Sequence, residues 1–150
     1  MLWRALLAFL ALPGIVAIAL PAWFAAGSLR HGGEFHAIGL LPLAVGFVLL
    51  WWCVRDFYVS GRGTLAPWSP PKHLVTTGLY RYSRNPMYVA VATMLLGWAL
   101  AFASPPLALY AAAVVVAFHL RVVLGEEPWL ARTHGAAWEE YRARVPRWLM

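Results

Sequence analysis

Four apolar stretches constrain this chain more than anything else in it: Leu2 to Ala26, broken only by Arg4, then Ala37 to Val54, Tyr88 to Phe102 and Pro105 to Leu124. A helix needs about 20 apolar residues to cross a bilayer, and these segments are close to that length. Composition agrees. Hydrophobic residues make up 62% of the chain and charged residues 12%, against about a quarter charged in soluble domains. With 150 residues, one domain fits, most of it spanning helix, and no separate soluble catalytic domain has room. The expected fold is an all-α, polytopic membrane protein with about four transmembrane helices. The first stretch has features of a signal peptide, with Arg4 at its start and Ala25-Ala26-Gly27 at its end, but its apolar core is too long for one. It is read as an uncleaved span. Ser104-Pro105-Pro106 cannot continue a helix, so the last two spans should form a tight antiparallel hairpin.

Charge placement gives an orientation. Four spans put both termini on one side, together with Arg4, Arg55, Arg62, Lys72, Arg81, Arg84 and the basic segment from Arg121, while the other side holds only Arg30. Lysine and arginine accumulate on the cytoplasmic side of membrane proteins. Both termini and the loop between the second and third spans are therefore expected in the cytoplasm, with the protein in an inner or plasma membrane. The net charge of +6 follows from topology and from contact with anionic headgroups. Nucleic acid is not needed as a partner.

The connection from Arg55 to Pro86 is roughly thirty residues without helical or strand periodicity, and a connection that long in a compact protein is usually functional or disordered. It is rich in aromatic and apolar residues, so order is expected. After the fourth span, Trp129, Leu130, Thr133, Ala137, Trp138 and Tyr141 recur at helical spacing opposite Glu139, Glu140, Arg142 and Arg144. That pattern predicts an amphipathic helical tail lying at the membrane interface, which Gly135 divides. The lone Cys53 supports neither a disulfide framework nor a thiolate cluster. The histidines are dispersed and have no cysteine partners, so no metal site is expected. Gly61-Arg62-Gly63 is only a fragment of a dinucleotide fingerprint, without a strand and helix around it.

Two polar segments remain, each at the end of an apolar span. One runs Lys72-His73-Leu74-Val75, then Gly78, Tyr80 and Arg84-Asn85-Pro86-Met87-Tyr88. The other is Glu126-Glu127-Pro128-Trp129-Leu130, followed by Gly135, Tyr141 and Val145-Pro146-Arg147. Charges kept at a membrane face are costly unless they bind something. Taken in order, these residues resemble the isoprenylcysteine carboxyl methyltransferase family, related to the phospholipid methyltransferases, over the C-terminal half of the chain. The resemblance implies an integral membrane enzyme holding S-adenosylmethionine between its helices and cytoplasmic loops. It places the cofactor on Lys72, His73, Leu74, Val75, Tyr80, Arg84, Asn85, Pro86, Met87, Tyr88, Glu126 and Glu127. Asn85 stands where the family often has histidine, and Ala90 where glycine is common. The family's substrate-orienting arginine, four residues before the first glutamate, falls on Val122. Arg121 is offered for that role one residue earlier, about 100° away around a regular helix.

The chemistry is consistent with those residue types. S-adenosylmethionine carries a sulfonium, a carboxylate, an ammonium, a ribose and an adenine. Lys72, His73 or Arg84 can meet the carboxylate, Glu126 or Glu127 the ammonium or ribose, and Tyr80, Tyr88 or Trp129 the adenine or sulfonium. Methyl transfer is an in-line displacement that gains most from positioning in a dry site. The expected acceptor is lipophilic or lipid-anchored, its reacting group unspecified. Two other readings stand beside this one: a nicotinamide-dependent membrane reductase of the sterol-reductase type, and a non-catalytic scaffold or lipid-binding protein. In those, Arg81 and Arg84 are topology determinants, the tyrosines an interfacial belt, and Arg121 a snorkelling side chain.

Overall fold

The computed structural model describes residues 10–61 and 74–149. Among these residues the regular structure is helical throughout, without strands. Helix α1 is Leu20–Arg30, continued upstream as a wider π-helical coil, Leu10–Ala19. A 3₁₀ turn at Ala37–Gly39 leads into α2, Leu40–Gly61. Helix α3 is Pro86–Phe102 and α4 is Pro105–Arg121. A π turn, Val122–Glu126, joins α4 to α5, Glu127–His134, and α6 is Ala136–Arg144.

Three helical stretches are long and apolar enough to cross a membrane: Pro13–Arg30, Ala37–Asp56 and Pro105–His134. The fourth expected span, α3, has 17 residues, about 26 Å at 1.5 Å per residue, against a hydrocarbon core of about 30 Å. Its position compensates for its length. Apolar on every side, it packs against α1, α2 and α4, and buries Ala90, Val91, Met94, Leu95, Gly97 and Ala101. Helices of that kind lie at the centre of a bundle.

Small residues bring α2 and α3 together. A methyl group added to Gly39, in the turn before α2, would strike the Ala101 backbone, and one on Gly46 would lie 2.7 Å from the Ala90 carbonyl oxygen. With no hydrophobic drive between helices in lipid, such backbone-to-backbone approach is a main source of association. A second membrane problem is solved at Pro21, which has no N–H to give the preceding turn. Carbonyls of that turn are met by side chains from across the bundle: Tyr110 donates its hydroxyl to Val16 O at 2.9 Å and Trp98 its indole N–H to Ala17 O at 3.0 Å.

The largest differences between the sequence reading and the structure lie at two boundaries. Helix α2 runs seven residues beyond Val54 to Gly61, so Arg55–Gly61 belongs to a helix and not to the following loop. No breaker precedes Gly61, and Asp56 is turned inward, only 9% exposed, beneath Gly78. Second, helical structure does not stop at Leu124. Helical structure continues through the π turn to His134, because a π turn widens the coil by one residue without ending it. Residues 2–9 of the first expected span, and residues 62–73 of the loop, lie outside the described residues.

The tail divides at Gly135, whose φ of +50° favours a residue without a side chain. Helix α6 buries Trp138 and Tyr141, which with Val145 pack against Leu74, Leu130 and Ala131. Its apolar face is thus covered by Leu74, ahead of α3, and by Leu130 and Ala131 of α5. The outer face carries exposed Arg142–Glu139 and Arg144–Glu140 pairs.

Candidate active site

Helix α3 begins where the chain can turn into it. Asn85 is in a non-helical conformation and Pro86 occupies the first turn, where its missing N–H has no partner to lose. That start places Tyr88 within the first turn of the helix, facing α4, with its ring 4.5 Å from that of Phe118. From the far end of α4, Arg121 reaches the same point. Arg121 Nε donates to Glu126 Oε1 at 2.8 Å and to the Tyr88 hydroxyl at 3.1 Å, and the Tyr88 hydroxyl donates to Glu126 Oε1.

The π turn makes this triad possible. In a regular helix, residues five apart lie on different faces, whereas the i to i+5 ladder of a π turn stacks them. Val122 is fully buried and Arg121 is exposed. The coil therefore keeps Val122 in the core and still sets Arg121 over Glu126. The displacement of Arg121 by one residue, which on a regular helix turns it about 100° away, is absorbed by the extra residue of the turn.

Glu127 points elsewhere. Its Oε1 accepts from Arg84 NH1 at 2.9 Å and from Arg147 Nε at 2.8 Å, and its Oε2 from Arg147 NH2 at 2.8 Å. The Arg84 guanidinium lies 5.5 Å from the Trp138 ring centroid, and its Nε is buried without an acceptor among the described residues. Burial pulls Arg84 below the usual arginine value, with Glu127 opposing that pull and Arg147 adding to it, while the hydrogen bonds to Glu127 raise Arg147. The two directions differ because Arg84 is enclosed and Arg147 sits at the edge. Both remain cations at neutral pH.

The other expected site residues are placed as follows. Leu74, partly buried, packs against the tail, and Val75 is buried. Tyr80 is buried as well, its hydroxyl pushed well above the ordinary value mainly by that burial, and its carbonyl accepts the Tyr141 hydroxyl at 2.7 Å. Met87 packs into the central core. The Asn85 side-chain amide donates to Arg147 O at 3.0 Å. Lys72 and His73 lie outside the described residues. The structure thus gathers Tyr88, Arg121 and Glu126 in one group and Arg84 and Glu127 in a second. Sequence reasoning left Ser83, Trp138 and Arg147 off the site; the Val-Pro-Arg run was the available signal for Arg147. A cavity of about 770 Å³, lined by Trp23, Phe24, Arg30, Phe102 and Pro105 among others, opens at the end of α3 away from Tyr88. It has no part in either group.

Comparison with known proteins gives one result. No curated protein and no solved structure matches the chain. Residues 34–137 match the family described as phospholipid methyltransferase, a region that takes in α2 to α5 and both groups except Arg147. That family is related to the isoprenylcysteine carboxyl methyltransferases that the motifs resemble, so the two lines of reasoning converge. With more than half of its length matched, and with the paired motifs folded against each other at the ends of apolar helices, the chain belongs to the phospholipid methyltransferase family.

Proposed function

We propose that the protein transfers a methyl group from S-adenosylmethionine to a lipophilic or lipid-anchored acceptor, at the site formed by Tyr88, Arg121 and Glu126. The observation that carries this reading is the meeting of Tyr88 and Glu126, 38 positions apart, beside Arg121. Family membership supports methyl transfer on lipid-like substrates.

The side chains suit the cofactor. Among the described residues, the hydrogen bonds to Glu126 all fall on Oε1, which leaves Oε2 to accept from an ammonium or a ribose hydroxyl. The Tyr88 and Phe118 rings offer π faces for a cationic centre. Arg84 is held by Glu127, so Lys72 and His73 are the cations assigned to the methionine carboxylate. When bound, S-adenosylmethionine supplies a methyl group on an electrophilic sulfonium. The chain's own task is to orient the acceptor and keep water out. Among the described residues Arg121 engages only its Nε, and its side chain is 51% exposed. Its terminal nitrogens form a fork that matches an anionic headgroup, and an acceptor bearing such a group is favoured.

The test is calorimetry on the purified protein in detergent, followed by labelled-methyl transfer to lipid extracts. S-adenosylmethionine and its demethylated product should bind in the micromolar range, about −8 kcal/mol. Saturation by NADPH without heat from S-adenosylmethionine would hand the protein to the reductase reading, and no heat from either would favour a scaffold. The site is assigned to the cytoplasmic side on charge placement. Reporter fusions after Ser28 and Gly63 should give opposite signals, and equal signals would remove the four-span orientation.

A further inference from the structure

The segment after α6 does more than end the chain. Arg84 N–H donates to Pro146 O at 2.9 Å, the Ser83 hydroxyl to Arg147 O at 3.3 Å, and the Asn85 side chain to the same oxygen at 3.0 Å. Residues 145–147 are therefore strapped along the turn from which α3 starts. The guanidinium of Arg147 adds a two-point grip on Glu127, which also holds Arg84. One side chain thus ties the tail, the start of α3 and the start of α5 together.

The consequence falls on the neighbouring group. Tyr88 lies four residues after Arg84, and Glu126 is covalently next to Glu127. Fixing Arg84 against Glu127 fixes the register of Tyr88 against Glu126. We propose that Arg147 is a positioning residue for the methyl-transfer site, acting through Glu127; this rests on the functional reading above. The bidentate fork is essential to it, because a single ammonium cannot hold both carboxylate oxygens in one plane. Arg147 also lies beyond the matched family region, 34–137.

The experiment uses the full chain in detergent and reads binding of S-adenosylhomocysteine, the thermal midpoint, and hydrogen exchange of the amides at 84–90. Arg147→Ala should weaken binding at least tenfold and speed exchange at those amides. Arg147→Lys, which keeps the charge, should recover the wild-type midpoint but stay at least fivefold weaker in binding. Arg144→Ala, on the exposed face of α6, should match wild type in all three. Wild-type binding affinity in a folded Arg147→Ala or Arg147→Lys protein would overturn the inference and leave the functional reading intact. A wild-type protein that binds neither S-adenosylmethionine nor its product would sink the functional reading, and this inference with it.

Discussion

Glu126 and Glu127 are neighbours in sequence with opposite surroundings. The Glu127 side chain is 13% exposed and is gripped by two arginines, one of them, Arg84, only 10% exposed. The Glu126 side chain is 34% exposed and shares a single oxygen with Tyr88 and Arg121. The difference arises because Glu126 closes a π turn and Glu127 opens an α-helix, which points the two carboxylates to different faces. An enclosed, fully partnered carboxylate builds the protein, whereas a half-open one with a spare oxygen is placed to meet a ligand. The comparison predicts that loss of Glu127 is felt first as stability, and as binding only through the register it sets, whereas loss of Glu126 is felt as binding alone.

The largest effect is expected at Glu127. Removing one partner of a buried ion pair leaves the other charge uncompensated, at a cost of about 3–5 kcal/mol. Glu127→Ala strands Arg84 between Trp138 and the turn, so its thermal unfolding midpoint in detergent should fall sharply. An Arg84→Met, Glu127→Leu double variant should recover much of the loss, because apolar groups of similar volume can replace a buried pair. A Glu127→Ala protein as stable as wild type would erase the distinction between the two carboxylates.

How far the sequence reading reached follows the same division. Apolar runs announce the helices, Ser104-Pro105-Pro106 the α3–α4 hairpin, and the alternating faces of the tail its buried Trp138 and Tyr141, since each is a local property of composition or period. The meeting of the two polar segments was legible from the ordered motifs. The π turn was not. It depends on burying Val122 while keeping Arg121 at the surface, a tertiary requirement that five residues do not encode by themselves. For the same reason the ordered motifs, which by resemblance place Arg84 and Asn85 at the cofactor, do not announce the contacts these two residues make within the protein. Their partners in the tail, the Arg147 side chain by way of Glu127 and the Arg147 carbonyl, are some sixty residues away in sequence.

Glu126→Gln should give the converse result. With one side-chain face open, its ion pair with Arg121 adds little to stability, within about 1 kcal/mol. A neutral amide is a poorer acceptor for a cationic ammonium, so affinity for S-adenosylhomocysteine should fall at least tenfold, about 1.4 kcal/mol. Calorimetry checks it, and normal affinity would take Glu126 out of the site.

Arg121 should separate the acceptor from the cofactor. Arg121→Ala is expected to cut turnover by about tenfold while cofactor affinity stays within about threefold, near 0.6 kcal/mol. Steady-state rates over an acceptor series should show the greatest loss for acceptors with an anionic headgroup. If turnover is unchanged for every acceptor, Arg121 is a snorkelling side chain whose place over Glu126 has no catalytic use.

The smallest effect is expected from Tyr88→Phe, which deletes one hydroxyl and keeps the ring. Glu126 Oε1 would still accept from Arg121 Nε, so the carboxylate keeps a charge-assisted partner and its orientation. Only one hydrogen bond is lost, at the lower end of the usual contribution, about 0.5–1 kcal/mol. Stability should change little, because the Tyr88 ring still packs on Phe118. Cofactor affinity should weaken by roughly two- to fivefold. Tyr88→Leu removes the ring as well and should weaken affinity further if the π face meets a cationic centre. Equal affinities in the phenylalanine and leucine variants would confine the role of Tyr88 to holding Glu126, and would place the sulfonium away from its ring.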